Sequence, residues 1–118
     1  MHTSSEQPID AATANTVDAF LDRVASVFPL KNAFLFGSRA RGDFQPDSDA
    51  DVAVLLHGQH GKFMNAKMAM ADMAFDVLLE TGIRVEALPV WEDEWNNPEA
   101  YCNPPLLKNI ERDGVIVR

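Results

Sequence analysis

The sequence predicts an α/β (α+β) domain, a small mixed β-sheet with helices packed on one side. Three observations lead there. Apolar residues recur at helical spacing in two long segments, residues 11–28 and 62–81. Short runs rich in Val, Leu and Phe, around residues 34–36, 49–56 and 83–88, have the length of strands and are bounded by Gly, Pro and Asp. The two kinds of segment alternate, in the order helix, strand, turn, strand, helix, strand, helix, short strand.

Residues 1–9 read as a flexible N-terminal tail and residues 10–118 as a single domain. A chain of 118 residues buries roughly two-thirds of its unfolded surface, enough for one core. Asp10 is placed to cap the first helix. Val17, Phe20, Leu21, Val24, Val27 and Phe28 form its apolar stripe, which reads as a core face, and Pro29 ends it.

Phe34, Leu35 and Phe36 form a strand that Gly37 and Ser38 break. Arg39 and Arg41 follow, and Gly42 and Pro46 mark a loop. A Gly-Ser turn after a buried strand exposes backbone N–H groups and a hydroxyl, the donors that cradle phosphate. Then Asp49, Asp51 and Ala53 alternate with Ala50, Val52 and Val54. Strand side chains alternate faces, so Asp49 and Asp51 point the same way. Two adjacent carboxylates repel each other, and the repulsion becomes useful when a divalent cation lies between them. Hard Mg²⁺ prefers carboxylate oxygens and keeps room for substrate phosphates. Phosphate donors at one end of the stretch and a carboxylate pair at the other suggest a nucleoside triphosphate with its metal.

His57-Gly58-Gln59-His60-Gly61 reads as a loop. A His-x-x-His pair is one arrangement zinc uses, but no Cys or further His stands near, so an exposed polar loop is the reading. In the second long helix Met64, Met68, Ala71, Phe75 and Leu78 share a stripe, which reads as core; the sharper alternative is a Met-rich interface with another chain. Gly82 ends it. Residues 83–88 form a third strand on which Arg84, Glu86 and Leu88 share a face. The acidic segment from Trp91 to Asn97 reads as a solvated turn. Pro104 and Pro105 open a last helix with Leu106, Leu107 and Ile110 inward, and Val115-Ile116-Val117 adds a short edge strand.

Composition narrows the partners. The formal net charge of -8 argues against binding long DNA or RNA, which needs clustered Lys and Arg. Cys102 is the only cysteine, which fits a reducing cytoplasmic setting. No apolar run approaches membrane-spanning length, and MHTSSEQPID lacks the basic start and apolar segment of a secretory signal.

Gly37-Ser38-Arg39-Ala40-Arg41-Gly42 followed by Ser48-Asp49-Ala50-Asp51 resembles the Gly-Ser-x-x-x-Gly, Ser-Asp-x-Asp signature of the minimal nucleotidyltransferases of the DNA polymerase β superfamily. Order and spacing match throughout, and the flanking strands extend the likeness over most of the chain. The resemblance implies the nucleotidyltransferase fold and transfer of a nucleoside monophosphate, with ATP as donor and two Mg²⁺ ions. It implies metal and catalytic roles for Asp49 and Asp51. It adds Glu86 as third acid, in the apolar-acid-apolar run Val85-Glu86-Ala87, with Glu where Asp is commoner; a solvated strand glutamate is the other reading. Gly37 and Ser38 would hold the β- and γ-phosphates. Ser48 would contact nucleotide or support the turn. Arg39 and Arg41 would neutralise triphosphate charge or pair with Asp43 or Asp47 and stiffen the loop.

At 118 residues the sequence is expected to leave no room for a second, acceptor-binding domain. Stand-alone members of the family are often encoded beside a small helical HEPN protein, whose tyrosine they adenylylate as the antitoxin of a toxin–antitoxin pair. The resemblance therefore implies a HEPN-type partner, with a homodimer open to the isolated chain. Two other readings stand beside it: a non-catalytic antitoxin that neutralises by binding, and a small-molecule nucleotidyltransferase.

Overall fold

The computed structural model describes residues 9–118. The tail expected over residues 1–9 therefore falls outside the described residues as far as residue 8. Ile9 packs half-buried against the main core.

Helix α1 spans Ala11–Ala25, and the Asp10 carboxylate caps it by accepting from the Thr13 N–H at 3.1 Å. Val17, Phe20, Leu21 and Val24 are buried along it. The helix ends before Val27, which is 64% exposed and so drops out of the expected stripe. Strand β1 covers Leu30–Phe36, beginning earlier than the apolar run because Lys31 and Asn32 interrupt the hydrophobic pattern but not the backbone ladder. A four-residue helix α2, Ser38–Arg41, precedes strand β2, Ala50–Leu56. Helix α3, Phe63–Thr81, crosses to strand β3, Val85–Trp91. Gly82 closes α3 at φ 81°, as expected. The acidic segment forms a short helix α4, Glu92–Asn96, followed by one 3-10 turn at Pro98–Ala100. Helix α5, Pro104–Asp113, and strand β4, Val115–Ile116, finish the chain.

The sheet is mixed, in the order β3-β2-β1-β4. β1 runs antiparallel to β2 and β4, and β2 runs parallel to β3, joined by the α3 crossover. The two long helices share one face of it. There Phe20, Leu21 and Val24 of α1 and Met70 and Val77 of α3 meet Leu35, Val52, Val54 and Leu56 of the sheet. The expectation of helices on one side holds for α1 and α3 and fails for the C-terminal segment. Leu55, Val90, Tyr101 and Leu107 form a smaller core on the opposite face, with Phe34 stacked on Trp95 at 5.1 Å between ring centroids. Both sides of the sheet are apolar, and the second is covered by residues too scattered in sequence to show a period.

Helix α3 also presents a different face from the one its sequence suggested. Ala66, Met70, Ala74 and Val77 face inward, whereas Met64 is 60% exposed, Met68 60% and Phe75 58%. The helix is apolar nearly all round, so periodicity did not choose. Small Ala66 and Ala74 let it approach the sheet closely. No helix among the described residues is long and apolar enough to cross a membrane.

Candidate active site

Strand directions bring three sequence-distant segments to one end of the sheet. β1 leaves the sheet where β2 enters, so Phe36 sits opposite Asp51. β3 runs parallel to β2, so Glu86 is also opposite Asp51, on the other side. Asp51 thus stands between the glycine turn and the third acid.

Gly37 makes that turn at φ 78°, ψ −158°, a conformation essentially restricted to glycine. A Cβ at this position would collide with the Asp51 carboxylate, so the turn passes directly against the acid. Ser38 opens α2, whose first N–H groups have no intrahelical partner.

The segment between the turn and β2 is held from inside. Arg39 is only 3% exposed. Its Nε donates to the Ser48 carbonyl at 2.9 Å, Nη1 to Thr13 Oγ1 of α1 at 2.8 Å, and Nη2 to the Pro46 carbonyl at 3.2 Å. The guanidinium also lies over the Phe44 ring at 4.4 Å. The nucleotide role expected of Arg39 does not fit this burial; loop stiffening does, through carbonyls rather than through Asp43 or Asp47. Arg41 is exposed and pairs with Asp43 at 3.3 Å. Ser48 supports the turn, its hydroxyl accepting from the Gln45 N–H at 2.9 Å.

Two cations enter the acid cluster that sequence reasoning did not assign. Arg84 donates from Nη1 to Asp49 Oδ2 at 2.9 Å and lies with Nη2 3.2 Å from Glu86 Oε1. Lys67 of α3 donates from Nζ to Glu86 Oε2 at 2.5 Å and to the Ala87 carbonyl at 2.5 Å. The shared face of Arg84 and Glu86 was a signal for the first; Lys67 reaches the acids only through the crossover packing.

The electrostatics follow. Burial, then the charges of Asp49 and Glu86, push the Asp51 carboxyl above its ordinary value, against the opposing pull of Arg41 and Lys67. The Lys67 hydrogen bond, aided by the Lys67 and Arg84 charges, holds Glu86 below its ordinary value. In donor chemistry the three carboxylates fit a hard divalent cation. In arrangement, no three His, Cys, Asp or Glu side chains among the described residues are grouped to hold a metal ion, and Glu86 and Asp49 are turned toward cationic side chains instead. The expected three-acid set therefore requires Glu86 to leave Lys67.

A cavity of about 360 Å³ opens beside Glu86, between α3 and β3, with Met64, Met68, Phe75 and Arg84 in its walls. The histidine loop lies apart and faces acidic side chains. Glu92 accepts from the Gly58 N–H at 2.7 Å and from Lys31 at 2.8 Å, and His60 Nδ1 lies 2.9 Å from Asp93 Oδ2. The Lys31 and Gly58 hydrogen bonds drop the Glu92 carboxyl to about 2.

A small α/β domain that sets carboxylates from two parallel strands beside a glycine turn belongs with the enzymes of phosphate-bearing substrates. The chain is a member of the nucleotidyltransferase domain family, whose model matches residues 17–117. It is also similar to a solved structure from Sulfolobus solfataricus, provisionally described as a nucleotidyltransferase. The two share 23% identity and a TM-score of 0.52 over 98% of this chain and 87% of that one. At that identity the likeness speaks for the fold. No curated protein matches the chain.

Proposed function

We propose that this protein is a divalent-metal-dependent nucleotidyltransferase that moves a nucleoside monophosphate, AMP from ATP, to a hydroxyl acceptor. The observation that carries the reading is the register that sets Asp51 between Gly37 and Glu86. The Gly37 and Ser38 backbone receives the β- and γ-phosphates. Asp49 and Asp51, with Glu86 as third acid, are the residues that would hold Mg²⁺. When bound, two such ions supply a lowered pKa for the attacking hydroxyl and neutral surroundings for the leaving pyrophosphate. Arg39 keeps the loop between the turn and the acids in place.

The acceptor we infer is a tyrosine of a HEPN-type partner, with this chain as antitoxin in the cytoplasm. Support comes from the exposed Met64, Met68 and Phe75 beside Glu86, an adaptable apolar surface next to the acids, and from the net charge of -8, which suits a basic partner. The test is to copurify the chain with the product of its neighbouring reading frame and add ATP labelled at the α-phosphate with Mg²⁺. Label should pass to the partner, and Asp51→Asn should abolish the transfer. Binding of Mg²⁺-ATP to the isolated chain should show as a thermal shift that neither component gives alone.

One observation favours a second reading, a binding subunit without catalysis: Lys67 and Arg84 occupy Glu86 and Asp49 as they would in a site no longer used for metal. Under that reading the complex forms, no label transfers, and Asp51→Asn neutralises the partner as well as the wild type.

A further inference from the structure

We propose that Lys67 and Arg84 are built-in counter-cations of the acid cluster, competing with a divalent cation for Glu86 and Asp49. The inference rests on the metal-dependent reading above and deepens it.

Asp49, Asp51 and Glu86 carry three negative charges at one end of the sheet, and Lys67 and Arg84 bring two positive ones among them. Both Glu86 oxygens are engaged, Oε2 by Lys67 at 2.5 Å and Oε1 by Arg84 at 3.2 Å, and so is Asp49 Oδ2, by Arg84 at 2.9 Å. A carboxylate oxygen aimed at an ammonium or guanidinium is not aimed at a metal ion, so loading the site means turning Glu86 and Asp49 away from these partners. Asp51 has no ion pair among the described residues, and it is the half-buried acid packed against Gly37. It is therefore the acid already free to ligate.

The two cations differ in what holds them. The Lys67 side chain is 28% exposed and also donates to the Ala87 carbonyl of β3, so it keeps an anchor when Glu86 leaves. The Arg84 side chain is 59% exposed, and its partners here are these acids. Displaced, it stands free at the mouth of the site as a donor for substrate phosphate. Both are positioning residues: they set where the acids point in the metal-free protein.

The experiment is Mn²⁺ binding to the whole chain, read by electron paramagnetic resonance without nucleotide, together with metal-free thermal unfolding. Removing a competing cation should tighten Mn²⁺ binding while lowering metal-free stability, because the acids lose their internal neutralisation. Lys67→Met and Arg84→Gln should each tighten Mn²⁺ by about fivefold, the scale of one partly exposed ion pair. Lys67→Arg should keep wild-type affinity. A purely structural Lys67 would lower the unfolding midpoint and leave Mn²⁺ affinity unchanged, which overturns the proposal. Weakened Mn²⁺ binding in both variants also overturns it, since the cations would then be orienting the acids toward metal. Arg84 is exposed, so its variant still measures the competition if Lys67→Met does not fold. Asp51→Asn separates the two levels of inference. If it abolishes Mn²⁺ binding while the cation variants change nothing, the metal site stands and the competition fails. If neither wild type nor any variant binds Mn²⁺, the metal-dependent reading falls with it.

Discussion

Gly37 lies against the Asp51 carboxylate so closely that a Cβ at position 37 would collide with Oδ2. The turn proposed to receive phosphate and the acid proposed to ligate metal are therefore one packing unit. Gly37→Ala should cost about 1–3 kcal/mol of stability from its backbone conformation alone, and should also displace Asp51 and remove Mg²⁺-nucleotide binding. Gly42→Ala is the control. Its φ of 90° is strained for alanine too, but a Cβ there meets nothing within 4 Å. Denaturant unfolding and nucleotide titration on both variants should show two destabilised proteins, of which only the Gly42 variant still binds.

Asp51 works against the fold that holds it. Burial first, then Asp49 and Glu86, keep its carboxyl above the ordinary value of 3.8. A carboxyl raised in the folded state costs nothing below its unfolded pKa, and it destabilises increasingly as pH rises toward the folded value, with the full cost present above it. Asp51→Asn should therefore raise the metal-free unfolding midpoint at about pH 7 and lose that advantage toward about pH 3, while abolishing transfer. Equal midpoints for wild type and variant at neutral pH would remove the electrostatic argument.

The turn and the acid pair were legible because they are local. Gly37, Asp49 and Asp51 fall within one strand-turn-strand unit, and strand alternation speaks for the two aspartates. The pairing of Asp51 with Glu86 was not legible, because it depends on the register of a parallel pair joined across α3. Lys67 was hidden for the same reason. Arg39 and Arg41, two residues apart in a basic run, offered the same chemistry in sequence. Burial alone separates them, one enclosed by carbonyls and the other on the surface. In α3 the apolar residues cover too wide an arc for a period to pick the inward face, and the alanines decided it.

Arg39 joins α1 to the loop before the acids, and its three hydrogen bonds predict a structural rather than a chemical loss. Arg39→Met fills similar space but leaves the Ser48 and Pro46 carbonyls and the Thr13 hydroxyl without their donor. The cost should be about 2–4 kcal/mol. Arg41→Ala, which breaks an exposed pair, should stay within about 0.5 kcal/mol. Denaturant midpoints at unchanged slope measure both. If Arg39→Met were as stable as the wild type, the brace assigned to it would be wrong.

The loop after β2 carries a pH dependence of its own. Asp93 receives the His60 backbone N–H at 3.0 Å, and its other oxygen lies 2.9 Å from the ring Nδ1. The hydrogen bond to Asp93, followed by the Asp93 charge, raises the imidazole above 6.5. The same hydrogen bond holds the Asp93 carboxyl below 3.8. A raised imidazole contributes its full stability below the unfolded value and loses it as pH climbs through the folded one. A depressed carboxyl contributes above its unfolded value and loses it as pH falls. The pair is thus strongest between the two ordinary values, at mildly acid pH. His60→Gln should lower the thermal midpoint relative to wild type at about pH 5.5, and the gap should narrow as pH rises through the raised folded value and the ring loses its charge. High salt should narrow it as well, because the pair is exposed to solvent. A gap that keeps its size as pH rises would show that the ring acts through its backbone position and not through its charge.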